Sequence, residues 1–454
     1  MRKYFGTDGI RRIANTELSP ELVYKVAKAG AYVLSKHTDH TPTILIGRDT
    51  RISGTLIESA MVAGFLSYGA NVKLLGVIPT PAVAYLTRKL NADAGVVISA
   101  SHNTYEFNGI KYFSNKGTKI PDSLEEEIEE VMDSGKLDEL TAVNDKIGVS
   151  EYKLDLIDEY VYFFRKNFDD NIEKYNRKDF VVGIDTANGA TYSVAEKVFK
   201  ALGINYKIIN NQPDGININE NCGSTHLEGL KKFVLDNNLS LGIAYDGDGD
   251  RCLAVDEKGN EMDGDKLLAI ISANLRKKGK LNKDTIVATV MSNLGLNKYA
   301  RDNGLELLQT KVGDRYVLEE MLKDGFNLGG EQSGHIILLD YNPTGDGILT
   351  SLMLIQSILE EDKKASELNE IVKLYPQILI NAKVNADKKY DYDKNEEIKQ
   401  AIEKLEKEFA GNGRVLIRPS GTEPLVRVMI EGEEQEYINK KAKEIADLIE
   451  KNLK

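Results

Sequence analysis

Short apolar runs alternate along the chain with longer stretches whose apolar residues recur at helical spacing, a pattern that predicts strand-helix-strand units. In the first unit Thr43–Ile46, Val72–Val77 and Gly95–Ile98 read as strands. Ser19 as N-cap, Pro20 at the first helical position and Glu21 in the first turn open a helix to about Leu34. Thr55–Tyr68 reads as a second helix, and Thr80-Pro81 starts a third. The order β-α-β-α-β predicts a largely parallel sheet. The pattern restarts at Phe180–Ile184, Tyr206–Ile209 and Leu241–Tyr245, and again at Thr285–Val290 before a helix near Asp346–Glu360. Leu253–Asp256 and Glu261–Met262 flank a Lys258-Gly259-Asn260 turn and are expected to form a hairpin that opens this third unit. The last stretch differs. Strands at Ile378–Val384, Arg414–Arg418 and Val426–Ile430 sit among amphipathic helices near Glu396–Phe409 and Glu436–Leu453, an α+β layout. The expected division is 1–149, 150–252, 253–368 and 369–454: three similar α/β domains with mixed, largely parallel sheets, then a smaller α+β domain. Polar loops at equivalent strand ends in three successive units point to structural duplication.

Composition narrows the function without naming it. A chain of 454 residues is too long for one core. With 41% hydrophobic and 29% charged residues it has the make-up of a globular protein, not a disordered one. The net charge of -12 argues against a nucleic-acid binder that relies on a basic surface, so an anionic ligand would need local basic clusters. The two cysteines, Cys222 and Cys252, lack metal-type spacing and fit a reducing compartment. The N-terminus has no apolar targeting core, and no stretch approaches a membrane span, so the expectation is a cytoplasmic protein without a membrane partner.

Four loops carry candidate chemistry. The strand Gly95–Ile98 runs into Ser99-Ala100-Ser101-His102-Asn103, followed by Gly109 and Lys111: a hydroxyl, an imidazole, an amide and an ammonium that together suit a phosphoryl group, or else a capped turn. Asp246-Gly247-Asp248-Gly249-Asp250-Arg251 sets three hard oxygen ligands on a flexible turn, as an Mg²⁺ site requires. A calcium loop, an aspartyl-phosphate nucleophile at Asp246 and a solvated acidic turn are the competing readings, although the closing glutamate of a calcium loop is missing. Gly330-Glu331-Gln332-Ser333-Gly334-His335 could grip sugar hydroxyls or merely bend the chain. Arg418-Pro419-Ser420-Gly421-Thr422-Glu423-Pro424, with Arg427 nearby, could cradle a phosphate or cap a hairpin turn. Phe5-Gly6-Thr7-Asp8-Gly9-Ile10-Arg11-Arg12 is a glycine-punctuated loop ending in two guanidinium groups, an anion contact or equally a solvated turn.

Four such loops in this order closely resemble the α-D-phosphohexomutase superfamily, over essentially the whole chain. The resemblance implies four domains around a central cleft. It implies Ser101 as the phosphoserine, with His102 beside it and Lys111, Arg11 and His335 as the proton-transfer and electrostatic groups. One Mg²⁺ would be held by Asp246, Asp248, Asp250 and a phosphate oxygen on Ser101. Arg251, Lys311, Glu331, Ser333, Arg418, Ser420, Gly421, Thr422 and Arg427 would bind substrate, a small phosphosugar, with a sugar 1,6-bisphosphate as intermediate and activator. Phe5–Arg11, Cys222-Gly223-Ser224-Thr225-His226 and Gln332 are most similar to the bacterial branch that acts on glucosamine phosphates and feeds cell-wall precursor synthesis; the alternatives are a branch of the same superfamily that acts on mannose or glucose phosphates, and a non-catalytic phosphosugar- or metal-binding protein. Within the sugar loop Glu331 is placed to reach sugar hydroxyls, whereas Gln332 and Ser333 would read the C2 substituent, and a homodimer is left open as a partner. Two positions depart from the family pattern: Thr104 stands where a proline is usual, and Arg12 where a glycine is usual.

Overall fold

The computed structural model describes residues 3–6, 8–168, 175, 177–420 and 423–454. They form two compact units, one of residues 1–291 and 305–371 and one of residues 292–304 and 372–454.

The first unit holds three sheets. The first is built from β1 (Ile10–Ile13), β2 (Thr43–Arg48), β3 (Asn71–Val77), β4 (Ala94–Ile98), β5 (Phe107–Ser114) and β6 (Ser150–Tyr152), in the order β1-β5-β4-β2-β3-β6. The second contains β7 (Val181–Asp185), β8 (Asn205–Ile209), β9 (Leu241–Tyr245), β10 (Cys252–Asp256) and β11 (Glu261–Met262), in the order β11-β10-β9-β7-β8. The third contains β12 (Thr285–Thr289), β13 (Glu306–Thr310), β14 (Leu328–Gly330) and β15 (Ile336–Leu338), in the order β13-β12-β14-β15. A common plan runs through them: β3-β2-β4, β8-β7-β9 and β13-β12-β14 are parallel, and β5, β10 and β15 each return antiparallel beside the last parallel strand. The three loops with candidate chemistry, at Ser101, at Asp246–Arg251 and at Glu331–His335, each occupy that one turn between parallel strand and return strand.

The local reasons are those of the sequence. Ser19 Oγ accepts from Leu22 N at the start of the helix Pro20–Ser35, and the helix's apolar face packs into the first core with Ile44, Ile46, Val96 and Ile98. Parallel strands covered on both faces read as continuous apolar runs, and all five residues of β4 are buried.

Two expectations are corrected. The hairpin at Lys258-Gly259-Asn260 pairs β10 with β11, and β10 in turn pairs with β9, so the hairpin completes the second sheet and does not open the third. The glycine-punctuated stretch that ends in Arg11 and Arg12 continues into strand β1, paired with β5.

The second unit is a three-stranded antiparallel sheet of β16 (Gln377–Lys383), β17 (Gly413–Pro419) and β18 (Leu425–Gly432), in the order β16-β18-β17. The helices Glu396–Phe409 and Gln435–Leu453 supply Ile398, Leu405, Ile438, Ile445 and Ile449 to its core. Among the described residues no helix is long and apolar enough to cross a membrane.

Candidate active site

Ser101 stands at the end of β4 with φ 50°, a left-handed conformation that few residues other than glycine adopt. Its hydroxyl donates to Asp246 Oδ2 at 2.6 Å, and both residues are buried. The serine loop and the carboxylate loop, far apart in sequence, therefore meet at hydrogen-bonding distance.

Asp246, Asp248 and Asp250 are all buried, with one carboxylate oxygen of each within 4.8 Å of the others. Thr80 Oγ1 donates to Asp248 Oδ2 at 2.6 Å, while Asp248 Oδ1 and Asp250 Oδ1 are buried without a hydrogen-bond partner. Hard carboxylate oxygens, some without a partner, converging in a buried site are what a divalent cation takes as ligands, so the residues fit one. The electrostatics agree. Burial, then Asp250 and Asp248 alongside, push the Asp246 carboxyl well above its ordinary value. Burial opposes ionisation of Asp250 too, yet Lys111 and His335 beside it hold it well below the carboxylate range.

Lys111 comes from β5, opposite Val97 of β4, and is 2% exposed. Its Nζ lies 3.0 Å from Asp248 Oδ2, 3.2 Å from Asp8 Oδ2 and 3.7 Å from Asp250 Oδ2. Burial works against its charge, but these three carboxylates outweigh burial and raise it above the usual lysine value. Arg11 reaches Asn103 Oδ1 and Asp8 Oδ2, each at 3.0 Å. His335 Nδ1 faces Asp250 Oδ2 at 3.5 Å, and its Nε2 accepts from Gly345 N at 3.0 Å. In the neutral ring that bond leaves the proton on Nδ1; Nε2 also lies 3.4 Å from Asp314 Oδ2, and Asp250 and Asp314 overcome burial and raise the ring above its ordinary value, favouring the doubly protonated form. His102 is moved the other way: burial, then Arg251 and Arg11, lower it to about 4 and keep it neutral.

A cavity of about 690 Å³ opens over this cluster, lined among others by Asp8, Arg11, Arg12, His102, Lys119, Asp250, Arg251, Asp314, Glu331 and His335. Burial raises Glu331 above its ordinary value. Lys119 pairs with Asp8 and, at 2.6 Å, with Asp314 Oδ2, tying the first sheet to the third along the cavity wall. Lys119, Asp314, Asp8, Asp49, Arg51 and Asn219 carry this architecture although the motif reading did not single them out. The available signal was position, since Asp8, Asp49 and Arg51 fall in glycine-bearing loops beside strand ends and Asp314 opens the helix Asp314–Asp324 directly after Gly313.

The structure thus brings together Ser101, His102, Lys111, Arg11, His335, the three aspartates, Arg251 and Glu331. Lys311 is exposed and does not line the cavity, although Val312, Gly313 and Asp314 after it do. Gln332 turns away from the cavity lining, its Nε2 donating to Asp263 Oδ2 at 3.1 Å. Ser333 Oγ is buried without a partner. In the second unit Arg418 of β17 stands opposite Arg427 of β18, and burial together with Arg427 lowers Arg418 from its ordinary value. Two facing guanidinium groups suit an anion. Ser420 Oγ accepts from Glu423 N at 3.2 Å. Gly421 and Thr422 lie outside the described residues, as does Thr7.

Comparison with known proteins decides the family. Models of the phosphoglucomutase/phosphomannomutase domains match in chain order: α/β/α domain I over residues 2–139, domain II over 158–259, domain III over 263–375 and the C-terminal domain over 379–448. The chain belongs to the phosphoglucomutase/phosphomannomutase family. Within it, the chain is 54% identical over 454 residues to phosphoglucosamine mutase of Acetivibrio thermocellus, covering 100% of both chains. It is 53% identical to phosphoglucosamine mutase of Clostridium kluyveri, again over 100% of both. The fold is that of a Burkholderia thailandensis protein of the family, with a TM-score of 0.79, 21% identity and coverage of 99% and 98% of the two chains. It is also that of the Aspergillus fumigatus N-acetylphosphoglucosamine mutase solved with GlcNAc-6P and magnesium, with a TM-score of 0.67, 16% identity and coverage of 100% and 96%.

Proposed function

We propose that this chain is a phosphosugar mutase that interconverts glucosamine 6-phosphate and glucosamine 1-phosphate through a phosphoserine at Ser101 and a 1,6-bisphosphate. The observation that carries the chemistry is the buried Ser101 Oγ to Asp246 Oδ2 contact of 2.6 Å within the carboxylate trio. Full-length identity above 50% to curated phosphoglucosamine mutases supports the choice of sugar.

In the first half-reaction the sugar O1 attacks the phosphorus on Ser101; the P–Oγ bond breaks as the P–O1 bond forms, and the O1 proton leaves to Oγ. In the second, Oγ attacks the phosphorus on O6, that P–O bond breaks, and the proton passes to O6. Lys111, held charged by its carboxylates, and Arg251 offset the charge on the group in transfer. His335 is the member of the set suited to relaying the proton. Asp246, Asp248 and Asp250, with a phosphoryl oxygen on Ser101, would hold one Mg²⁺, which would neutralise charge on that group. Glu331 and Ser333 are the proposed sugar contacts, and Arg418, Ser420, Gly421, Thr422 and Arg427 the proposed phosphate contacts. The bisphosphate would act as activator by reloading Ser101, and the enzyme would work in the cytoplasm on a small phosphosugar.

Kinetics on glucosamine 6-phosphate, glucose 6-phosphate and mannose 6-phosphate, each with its own 1,6-bisphosphate, test the reading. One charge-assisted contact to a C2 ammonium is worth about 1.5 to 3 kcal/mol, so kcat/KM for the amino sugar should be higher by on the order of tenfold or more. Equal or greater efficiency on mannose 6-phosphate would move the chain to the phosphomannomutase branch.

A further inference from the structure

We infer that Arg51 and Asn219 form a two-sided clamp on the serine loop and are positioning residues for Ser101, a role that rests on the mutase reading above. Arg51 is 1% and Asn219 2% exposed, and neither lines the cavity over the site, so they act through the loop and not on substrate. Arg51 follows β2 in the first sheet, while Asn219 lies between β8 and β9 of the second.

Both close on the same two carbonyls. Arg51 Nη2 donates to Ser101 O at 3.0 Å and to Asn103 O at 2.8 Å, and Asn219 Nδ2 donates to Ser101 O and Asn103 O, each at 2.9 Å. A carbonyl oxygen has two lone pairs, and here both acceptors have both filled. Arg51 Nη1 donates further to Thr104 O, at the position where the family's usual proline is missing. The guanidinium is itself aimed by Asp49, whose Oδ2 accepts from Arg51 Nε at 2.9 Å and from Ser99 Oγ at 2.6 Å; Ser99 Oγ in turn accepts from Ser101 N at 2.9 Å. Only a planar fork of five donors can serve this set, which lysine cannot reproduce.

The clamp also sets the distance to the carboxylate loop. A Cβ on Gly247 would fall 2.5 Å from Ser101 O and 2.7 Å from Asn219 Nδ2, so the backbone of that loop lies directly against the clamped carbonyl. Ser101 keeps its left-handed φ because its carbonyl is gripped from two sheets, and its Oγ is thereby presented to Asp246. The reaction needs this geometry twice per cycle, with Oγ as leaving group and then as nucleophile. A grip on carbonyls does that without touching the phosphoryl group.

The test uses full-length Asn219→Ala and Arg51→Lys, with Ser101 phosphorylation set by glucosamine 1,6-bisphosphate and checked by intact mass. Melting temperature, steady-state constants and single-turnover transfer from phospho-Ser101 to glucosamine 6-phosphate are measured. For Asn219→Ala, kcat and the single-turnover rate should fall roughly ten- to a hundredfold with KM near the wild-type value and the melting temperature preserved, and Arg51→Lys should fall further. Wild-type transfer by Asn219→Ala, or losses that merely follow a collapse in melting temperature in both variants, would overturn the clamp. Should the wild-type enzyme transfer only to glucose or mannose 6-phosphate, the amino-sugar reading fails; the clamp is then judged by the same comparison on that sugar.

Discussion

Ser101 combines a left-handed backbone, burial and a 2.6 Å bond to Asp246, the strained and buried setting on which the proposed phosphoserine rests. Ser101→Ala removes only the hydroxyl, so the loop should remain while turnover falls by on the order of 10³-fold or more. Steady-state assay, with the Ser101 peptide followed by mass spectrometry, checks this; unchanged turnover would remove the phosphoserine from the mechanism. The carboxylate trio makes a second prediction. Buried acids 4.8 Å or less apart repel unless a cation joins them. Chelation should therefore lower activity by about 10²-fold or more, and added Mg²⁺ should restore it. Full activity in chelator would reduce the trio to a partner set for Lys111.

At the scale of elements, two helix starts abut the loops that form the candidate site. Asp346 caps the helix Gly347–Glu361, its Oδ1 accepting from Leu349 N at 3.0 Å and its Oδ2 from Tyr160 OH at 2.8 Å. Burial pushes its carboxyl up to about 6 from the ordinary 3.8. The folded state thus keeps a proton that the unfolded chain has released, so stability falls as pH rises from about 4 to about 6 and stays lower above that. Asp346→Asn cannot titrate. The drop in unfolding free energy between pH 4.5 and pH 7, followed by urea denaturation, should be smaller in the variant by about 2 kcal/mol; an unchanged drop would show that Asp346 titrates normally. Gly264 opens the helix Gly264–Lys277 and donates to Gln332 O at 2.9 Å. A Cβ there would fall 2.0 Å from Glu331 O, so Gly264→Ala must displace the loop that carries Glu331. KM for the phosphosugar should rise by roughly tenfold, and the melting temperature should fall because the overlap is with backbone, which steady-state kinetics and calorimetry check together; wild-type KM would show that the loop does not position Glu331 for the sugar.

At the scale of the whole molecule, three sheets repeat one strand order and place their chemistry in one equivalent turn, as duplication of an α/β unit would leave it. The second unit is discontinuous in sequence. Its segment 292–304 is held by Asn293 Nδ2 on Tyr375 O at 2.9 Å, Arg414 Nη2 on Ser292 O at 2.8 Å and Leu294 N on Glu431 Oε2 at 3.2 Å. A chain ended after residue 371 loses all three partners, so amide exchange in 292–304 should rise to the level of an open segment while β2, β4, β7 and β9 keep their protection. Hydrogen exchange with mass spectrometry reads both; retained protection at 292–304 would make that segment a member of the first unit.

Local patterning determined most of the elements. Ser19-Pro20 placed a helix start, apolar runs such as Leu241–Tyr245 placed buried strands, and the four polar loops were legible because small and charged residues interrupt those runs. Strand β5 was not legible, since Asn108, Gly109 and Lys111 are poor strand formers in isolation. Tertiary contact makes them fit: a Cβ on Gly109 would lie 2.5 Å from both Ile10 O and Ser99 O, and Lys111 is buried only because Asp8, Asp248 and Asp250 surround it. The pairing of Ser101 with Asp246, and the grip of Arg51 and Asn219 on one pair of carbonyls, were likewise decided only by the fold. Propensity and periodicity act over a few residues, whereas these contacts join chain segments 50 to 145 residues apart, which packed sheets alone bring within hydrogen-bonding distance.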